Sequence, residues 1–256
     1  MLNKVALIAR AAGELIMASY ANDVAVEHKA DASPVTQADQ AAEALILERL
    51  AALWPDIPVV AEESVSTGGA PETTALGQRF WLVDPLDGTR EFLARNGEFT
   101  VNIGLIAQGR PVLGVVLAPA LGRLWAGHIG QRGQGGQGAW VEDQAGRRPI
   151  QCRAVPPEGL TVVASRSHGD AQALTAFLAG RPLAQTVSVG SSLKLCLVAE
   201  GQADLYPRLG RTMEWDIAAA HAVLAAAGGR VTTLDGSELT YGKRGFDNPH
   251  FVASAG

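Results

Sequence analysis

Two cysteines in 256 residues, Cys152 and Cys196, lie far apart and without the spacing of a metal-binding cluster. Both sit among apolar residues, which points to reduced, buried thiols and to the cytoplasm. Long hydrophobic runs are missing too. Met1 to Tyr20 is apolar enough to resemble a signal peptide, but Arg10 and Glu14 interrupt it. Leu2, Val5, Ala6, Ala9, Leu15 and Ile16 fall at helical spacing and predict an amphipathic helix instead. No stretch is long enough to cross a bilayer, although peripheral attachment to an inner membrane is left open. Basic residues are scattered and the net charge is −5, so neither a nucleic-acid polymer nor an anionic membrane surface is the expected partner. There is no internal repeat. What remains is 47% hydrophobic and 18% charged, a globular chain able to bury a good core as one large or two modest domains.

Along the chain, a polar segment from Glu27 to Thr36 shows no periodicity. A second helix is predicted from Thr36, where Thr36 and Asp39 form a capping-box-like pair, to just before Pro55. A strand over Ile57 to Ala61 precedes Ser66 to Gly77, whose Gly, Thr and Pro content reads as a mobile surface loop. Phe99 to Ile106, Val112 to Ala118 and Leu124 to Ile129 read as an antiparallel meander. The glycine-rich Gly130 to Gly138 lacks the Lys-Ser/Thr ending of a P-loop and reads as a hairpin connection. From Leu160 strands and helices alternate: Leu160–Ala164, Gln185–Val189, Ala203–Tyr206 and Arg230–Thr233 as strands; Asp170–Leu178, Ser191–Glu200 and Trp215–Ala227 as helices. The class is therefore α/β, with an α+β half over 1–150 and an α/β half over 151–256.

The chemistry concentrates in Phe80-Trp81-Leu82-Val83-Asp84-Pro85-Leu86-Asp87-Gly88-Thr89. An apolar strand ends at Asp84, because Pro85 cannot donate to a ladder and Gly88 allows a sharp turn. Asp84, Asp87 and the carbonyl of Leu86 make an oxygen-rich pocket suited to a hard divalent cation. Glu62-Glu63 end another apolar run, and Asp216 heads an alanine-rich helix. Acids at strand ends and a helix start suggest one shared metal site.

These stretches, with Trp215-Asp216 and Gly228-Gly229, resemble the signature set of the inositol monophosphatase superfamily, which are Mg2+-dependent, lithium-sensitive phosphatases with a layered αβαβα sugar-phosphatase-like fold. Lys29 to Asp39, Arg95 to Ile103, Ser165 to His168 and Gly190 to Gly201 resemble, within it, the bacterial 3′(2′),5′-bisphosphate nucleotidases of the CysQ type. The resemblance covers nearly the whole chain. It implies that Glu62, Asp84, the Leu86 carbonyl, Asp87 and Asp216 hold two or three Mg2+ ions, with Asp84 bridging. It implies a metal-bound water as nucleophile, oriented by Thr89, whose hydroxyl relays a proton to Asp39. Without that resemblance Asp39 reads as a helix N-terminal acid stabilised by the dipole. Glu63 is a second-sphere acid or a solvated one. Lys29, Gly88, Ser165, Arg166, His168, Gly190, Ser191, Ser192, Lys194 and Arg208 are the substrate-contacting set, though Ser191 and Ser192 also suit simple helix capping and His168 suits a surface loop. His221 is expected to be packed or solvent-facing, not catalytic.

The implied reaction is hydrolysis of the 3′-phosphate of adenosine 3′,5′-bisphosphate to AMP, clearing a by-product of sulfate assimilation. Alternatives are inositol monophosphatase or fructose-1,6-bisphosphatase activity, or a non-catalytic nucleotide- or metal-binding protein of the same fold. A homodimer is allowed.

Overall fold

The computed structural model describes residues 1–22, 26–28, 34–130, 138–165 and 171–256. The chain opens with α1 (Leu2–Tyr20), whose buried face is Val5, Ala6, Ile8, Ala9, Ala12, Gly13 and Ile16. Leu15, expected on that face, is instead 39% exposed. The segment read as aperiodic contains a short antiparallel pair, β1 (Val26–His28) and β2 (Pro34–Thr36). Three-residue strands are too short to print an alternation. Next come α2 (Gln37–Leu53), β3 (Val59–Ala61), α3 (Glu62–Gly68) and β4 (Arg79–Asp87). The expected loop over 66–77 is thus partly helical, with a further 3-10 turn at Thr73–Leu76.

β4 does not end at Asp84. It pairs on to Asp87, with a register irregularity between Asp84 and Asp87 that lets Pro85 and Leu86 bulge out of the ladder. A bulge needs no N–H from Pro85, so the strand survives the proline. Gly88 (φ +91) turns the chain into α4 (Thr89–Leu93), a helix the sequence did not announce.

The meander follows as β5 (Thr100–Ala107), β6 (Arg110–Ala118) and β7 (Arg123–His128), extended by β8 (Gly138–Asp143) and β9 (Gly146–Ile150). The glycine-rich connection lies at 131–137, outside the described residues, but β7 and β8 flank it as an antiparallel pair. β3 to β9 form one seven-stranded sheet in chain order, parallel only at β3–β4. From β4 to β7 both its faces are buried, which is why those strands read as continuous apolar runs. Trp81, Val83, Val101, Ile103, Leu105, Val115 and Leu117 pack under α1 and α2. Phe80, Leu82, Val116 and Trp125 face the other way.

The remaining chain gives β10 (Leu160–Ser165), α5 (Ala171–Leu178), β11 (Leu183–Val189), α6 (Leu193–Ala199), β12 (Leu205–Arg208), α7 (Glu214–Ala226), β13 (Arg230–Thr233) and β14 (Phe251–Ser254). α6 starts later than expected because Ser191 takes φ +44, which no helix tolerates. The second sheet runs β11-β10-β12-β14-β13, parallel from β11 to β12 and antiparallel through β14. α6 and α7 lie between the two sheets, and Phe177 of α5 shares a groove with Leu205 and Val252 on the outer face of the second. The order is αβαβα.

α7 is apolar all round, as a helix between two sheets must be. It lies almost on the backbone of the first sheet. Gly104, Gly114 and Gly127 pair across β5, β6 and β7, and a Cβ added at each would come within 2.9, 2.0 and 2.5 Å of α7 backbone atoms. Glycine on one side and alanine on the other permit this approach, which fixes where the first turn of α7 points. Among the described residues no helix is long and apolar enough to cross a membrane.

His221 is buried in α7, its Nδ1 2.8 Å from the Tyr241 hydroxyl. Burial pushes the imidazole from 6.5 down to about 3, so the fold holds it neutral. Between those values the unfolded chain binds a proton that the folded chain refuses. Its share of stability is therefore present above pH 6.5 and is lost as pH falls towards 3, at up to ~1.4 kcal/mol per pH unit. Denaturant unfolding between pH 7 and 4 is expected to show a shallower decline in His221→Phe than in the native chain; equal slopes would remove His221 from the account.

Candidate metal centre and active site

β4 delivers two carboxylates from one bulge. Asp84 is buried, and its Oδ1 accepts the Leu86 N–H at 3.0 Å, which closes the turn. Asp87 ends the bulge opposite Thr100. Glu62 arrives on the first turn of α3, next along the sheet. That turn is tied down by Glu43 of α2, whose carboxylate accepts the Glu63 and Ser64 N–H groups, each at 2.8 Å, and the Ser64 hydroxyl at 2.6 Å. These are orphan donors of a helix start, satisfied from a different helix. Asp216 comes from the first turn of α7, where one oxygen accepts the Met213 N–H at 2.9 Å. Glu214, two residues earlier, turns away; its carboxylate accepts the Gly242 and Lys243 N–H groups at 2.8 and 2.9 Å.

The result is a convergence. One ligand oxygen each of Glu62, Asp84 and Asp216 lies within 4.8 Å of the others. Burial pushes Asp216 well above the ordinary carboxylate range, and Asp87 and Glu62 push it further. Burial likewise raises Asp87 to about 6; Lys194 and the Ser192 N–H pull it down, while Glu62 and Glu91 oppose them. Acids crowded into a poorly hydrated place repel one another, and an all-oxygen donor set relieved by positive charge fits a hard divalent cation. The residues fit a metal such as Mg2+.

These acids line one wall of a cleft of about 250 Å³. Leu86, Gly88 and Thr89 line it with them, as do Ser165, Gly190, Ser191, Ser192, Lys194 and Arg208. The Thr89 hydroxyl is 3.3 Å from both Asp39 Oδ1 and the Leu86 carbonyl. Asp39 is buried, and its Oδ2 accepts the Thr36 N–H at 2.8 Å, so it caps α2 and faces Thr89 at once.

Some expected residues do not sit as expected. Glu63 is buried but does not line the cleft. The Gly190 N–H does not face a substrate anion; it donates to the protein's own Glu98 Oε2 at 2.8 Å. The Ser192 hydroxyl turns into the sheet, 2.7 Å from Asn102 Oδ1 and 2.9 Å from the Thr100 hydroxyl. Lys194 is buried and donates to the Ser191 carbonyl, while burial lowers it to about 8 against the pull of Asp87. Arg208 donates to the Gly210 carbonyl at 3.2 Å and to the Arg211 carbonyl. The Ser191 hydroxyl has no partner among the described residues. Lys29, Arg166 and His168 lie outside the described residues. Glu91, Arg90, Arg211 and Tyr206 also line the cleft and were not singled out in the sequence; Glu91 and Arg90 follow Thr89 directly, so their nearness to the motif was the available signal.

A cleft that gathers clustered carboxylates with a lysine and an arginine among them, in a layered αβαβα fold, defines a metal-dependent phosphatase. The particular family follows by comparison: the inositol monophosphatase family model matches residues 2–253, and the chain belongs to that family. It is 50% identical over 257 residues, covering 99% of both chains, to a 3′(2′),5′-bisphosphate nucleotidase CysQ of Escherichia coli O157:H7. Among solved structures it is similar to CysQ from Bacteroides thetaiotaomicron, a bacterial member of the same family, at 36% identity and a TM-score of 0.80, covering 97% of this chain and 94% of that one. It is also similar to an inositol monophosphatase from Anabaena at 27% identity and a TM-score of 0.76, covering 100% and 90%.

Proposed function

We propose that this chain is a Mg2+-dependent 3′(2′),5′-bisphosphate nucleotidase that hydrolyses the 3′-phosphate of adenosine 3′,5′-bisphosphate, giving AMP and phosphate. The convergence of Glu62, Asp84 and Asp216 on one small volume is the observation that carries the chemistry. The choice of substrate is supported by the end-to-end likeness to the nucleotidase relative.

In this reading Glu62, Asp84, Asp87, Asp216 and the Leu86 carbonyl hold two or three Mg2+ ions. Magnesium held there supplies positive charge to the phosphate oxygens and makes water nucleophilic near neutral pH. Thr89 orients the attacking water through its hydroxyl, whose own proton points to Asp39 at 3.3 Å. Threonine is no base, so the proton released on attack ends on Asp39, whose second oxygen is already fixed by Thr36. Ser165, Ser191 and Arg208 face the ester across the cleft, with Gly88 allowing close approach of the chain. Ser191 contributes a buried hydroxyl without a partner among the described residues. Lys194 acts at short range by its charge, since its donors are engaged with the turn. Lys29, Arg166 and His168 complete the substrate set, and Glu63 supports Glu62 from behind. The protein works in the cytoplasm on a small phosphate ester.

Purified protein with Mg2+ is expected to release phosphate from adenosine 3′,5′-bisphosphate with a kcat/KM at least about tenfold above that for inositol monophosphate or fructose 1,6-bisphosphate, a difference of about 1.4 kcal/mol in transition-state binding. A preference for either sugar phosphate would overturn the substrate assignment.

A further inference from the structure

We infer that Ser192 and Asn102 are positioning residues that lock Asp87 and Asp216 into a common metal geometry, Ser192 acting through the sheet and not on the substrate. The inference rests on the metal-site reading above. On β5, Thr100 and Asn102 are the cross-strand partners of Asp87 and Asp84. Their side chains fall on the face that α7 covers, the same face as Gly104. Thr100 and Asn102 are fully buried and Ser192 is 2% exposed, so every polar atom there must find a partner in the protein.

Only one proton arrangement satisfies the set. Asn102 Nδ2 donates to the Asp216 carbonyl at 3.4 Å, which leaves Oδ1 as acceptor. The Ser192 hydroxyl donates to that Oδ1 at 2.7 Å. The Thr100 hydroxyl, 2.9 Å away, must then donate to Ser192. Thr100 is in turn the residue paired directly across the ladder from Asp87. A buried chain of bonds therefore ties the 190 turn to Thr100, the strand position opposite Asp87, and through Asn102 to the start of α7. Glu98 grips the other end of that turn at Gly190. Ligands supplied by a β-bulge and by a helix half the chain away share one buried tie.

Removing the Ser192 hydroxyl strands two buried polar groups and frees the 190 turn from the strand position opposite Asp87. Groups that orient metal ligands in this manner are worth about 10- to 100-fold in metal affinity. Metal-free native protein, Ser192→Ala and Asn102→Ala are to be titrated with Mg2+ by calorimetry without substrate, with thermal melts confirming that each is folded. Both variants are expected to bind Mg2+ at least about tenfold more weakly, while KM for adenosine 3′,5′-bisphosphate at saturating Mg2+ stays within about threefold of native. Ser192→Cys keeps the shape with a weak hydrogen-bonding group and carries the same expectation should the alanine variant not fold. Unchanged Mg2+ affinity with a raised KM would overturn the inference and make Ser192 a substrate contact. Weakened Mg2+ binding in the variants alongside a native protein inert to the bisphosphate would uphold it and remove only the nucleotidase reading.

Discussion

Asp84→Asn is expected to lower phosphate release by about 10³-fold or more while leaving the protein folded, since a loss of several kcal/mol of charge stabilisation in the transition state translates directly into rate. The expectation rests on what the substitution keeps and removes. An asparagine oxygen still accepts the Leu86 N–H, now received by Asp84 Oδ1 at 3.0 Å, so the bulge that shapes the site persists. The charge facing Glu62 and Asp216 disappears. In metal-free buffer that loss is expected to stabilise the fold by roughly 1–2 kcal/mol, because three acids in one poorly hydrated volume repel each other until a cation neutralises them. Initial rates at saturating Mg2+ and melting curves with and without Mg2+ read both effects. A variant within tenfold of native activity would contradict the assignment of Asp84.

Gly114→Ala is the second large effect. Its Cβ would lie 2.0 Å from the Ala219 carbonyl oxygen and 2.7 Å from its carbon. Both neighbours are backbone of a helix enclosed by two sheets, and Gly114 itself sits in a central strand, so neither side can yield locally. The helix would have to lift off the sheet, uncoupling the Gly104–Gly114–Gly127 row from the alanine face above it. A cost of about 3 kcal/mol or more is expected, at the upper end for overpacking. The displacement also moves Asp216, so the surviving folded protein should need more Mg2+ for half-maximal rate. Gly138→Ala is the control: nothing lies within 4 Å of its added Cβ. Denaturant midpoints should separate the two variants widely, and equal midpoints would refute the close packing of α7.

Much of the site was legible because its ligands sit at the ends of strongly patterned elements. The apolar run before Asp84 and the alanine-rich stretch after Asp216 both announce themselves in sequence, as does the Thr36–Asp39 cap. Beyond that, locality failed. Pro85 looked like a strand terminator, yet a bulge absorbs it and carries β4 on to Asp87. Gly190-Ser191-Ser192 looked like a helix start with free amides, but Ser191 is left-handed and the amide of Gly190 is already taken by Glu98. Glu43, Thr100 and Asn102 carry no local signal, since their meaning lies in partners brought to them by the topology. The glycine row is invisible for the same reason: Gly104, Gly114 and Gly127 look like three weak strand residues until the strands are paired. Mixed pairing in the second sheet was also hidden, because β14 comes last in the chain and inserts between β12 and β13.

Diffraction from crystals grown with Mn2+, a stand-in for Mg2+ that scatters anomalously, puts the shared carboxylate site to its plainest trial. Anomalous density is expected in the cleft, coordinated by Glu62, Asp84 and Asp216 oxygens from three separate parts of the chain. An empty space between those carboxylates at saturating Mn2+ would mean that the acids do not meet around a cation.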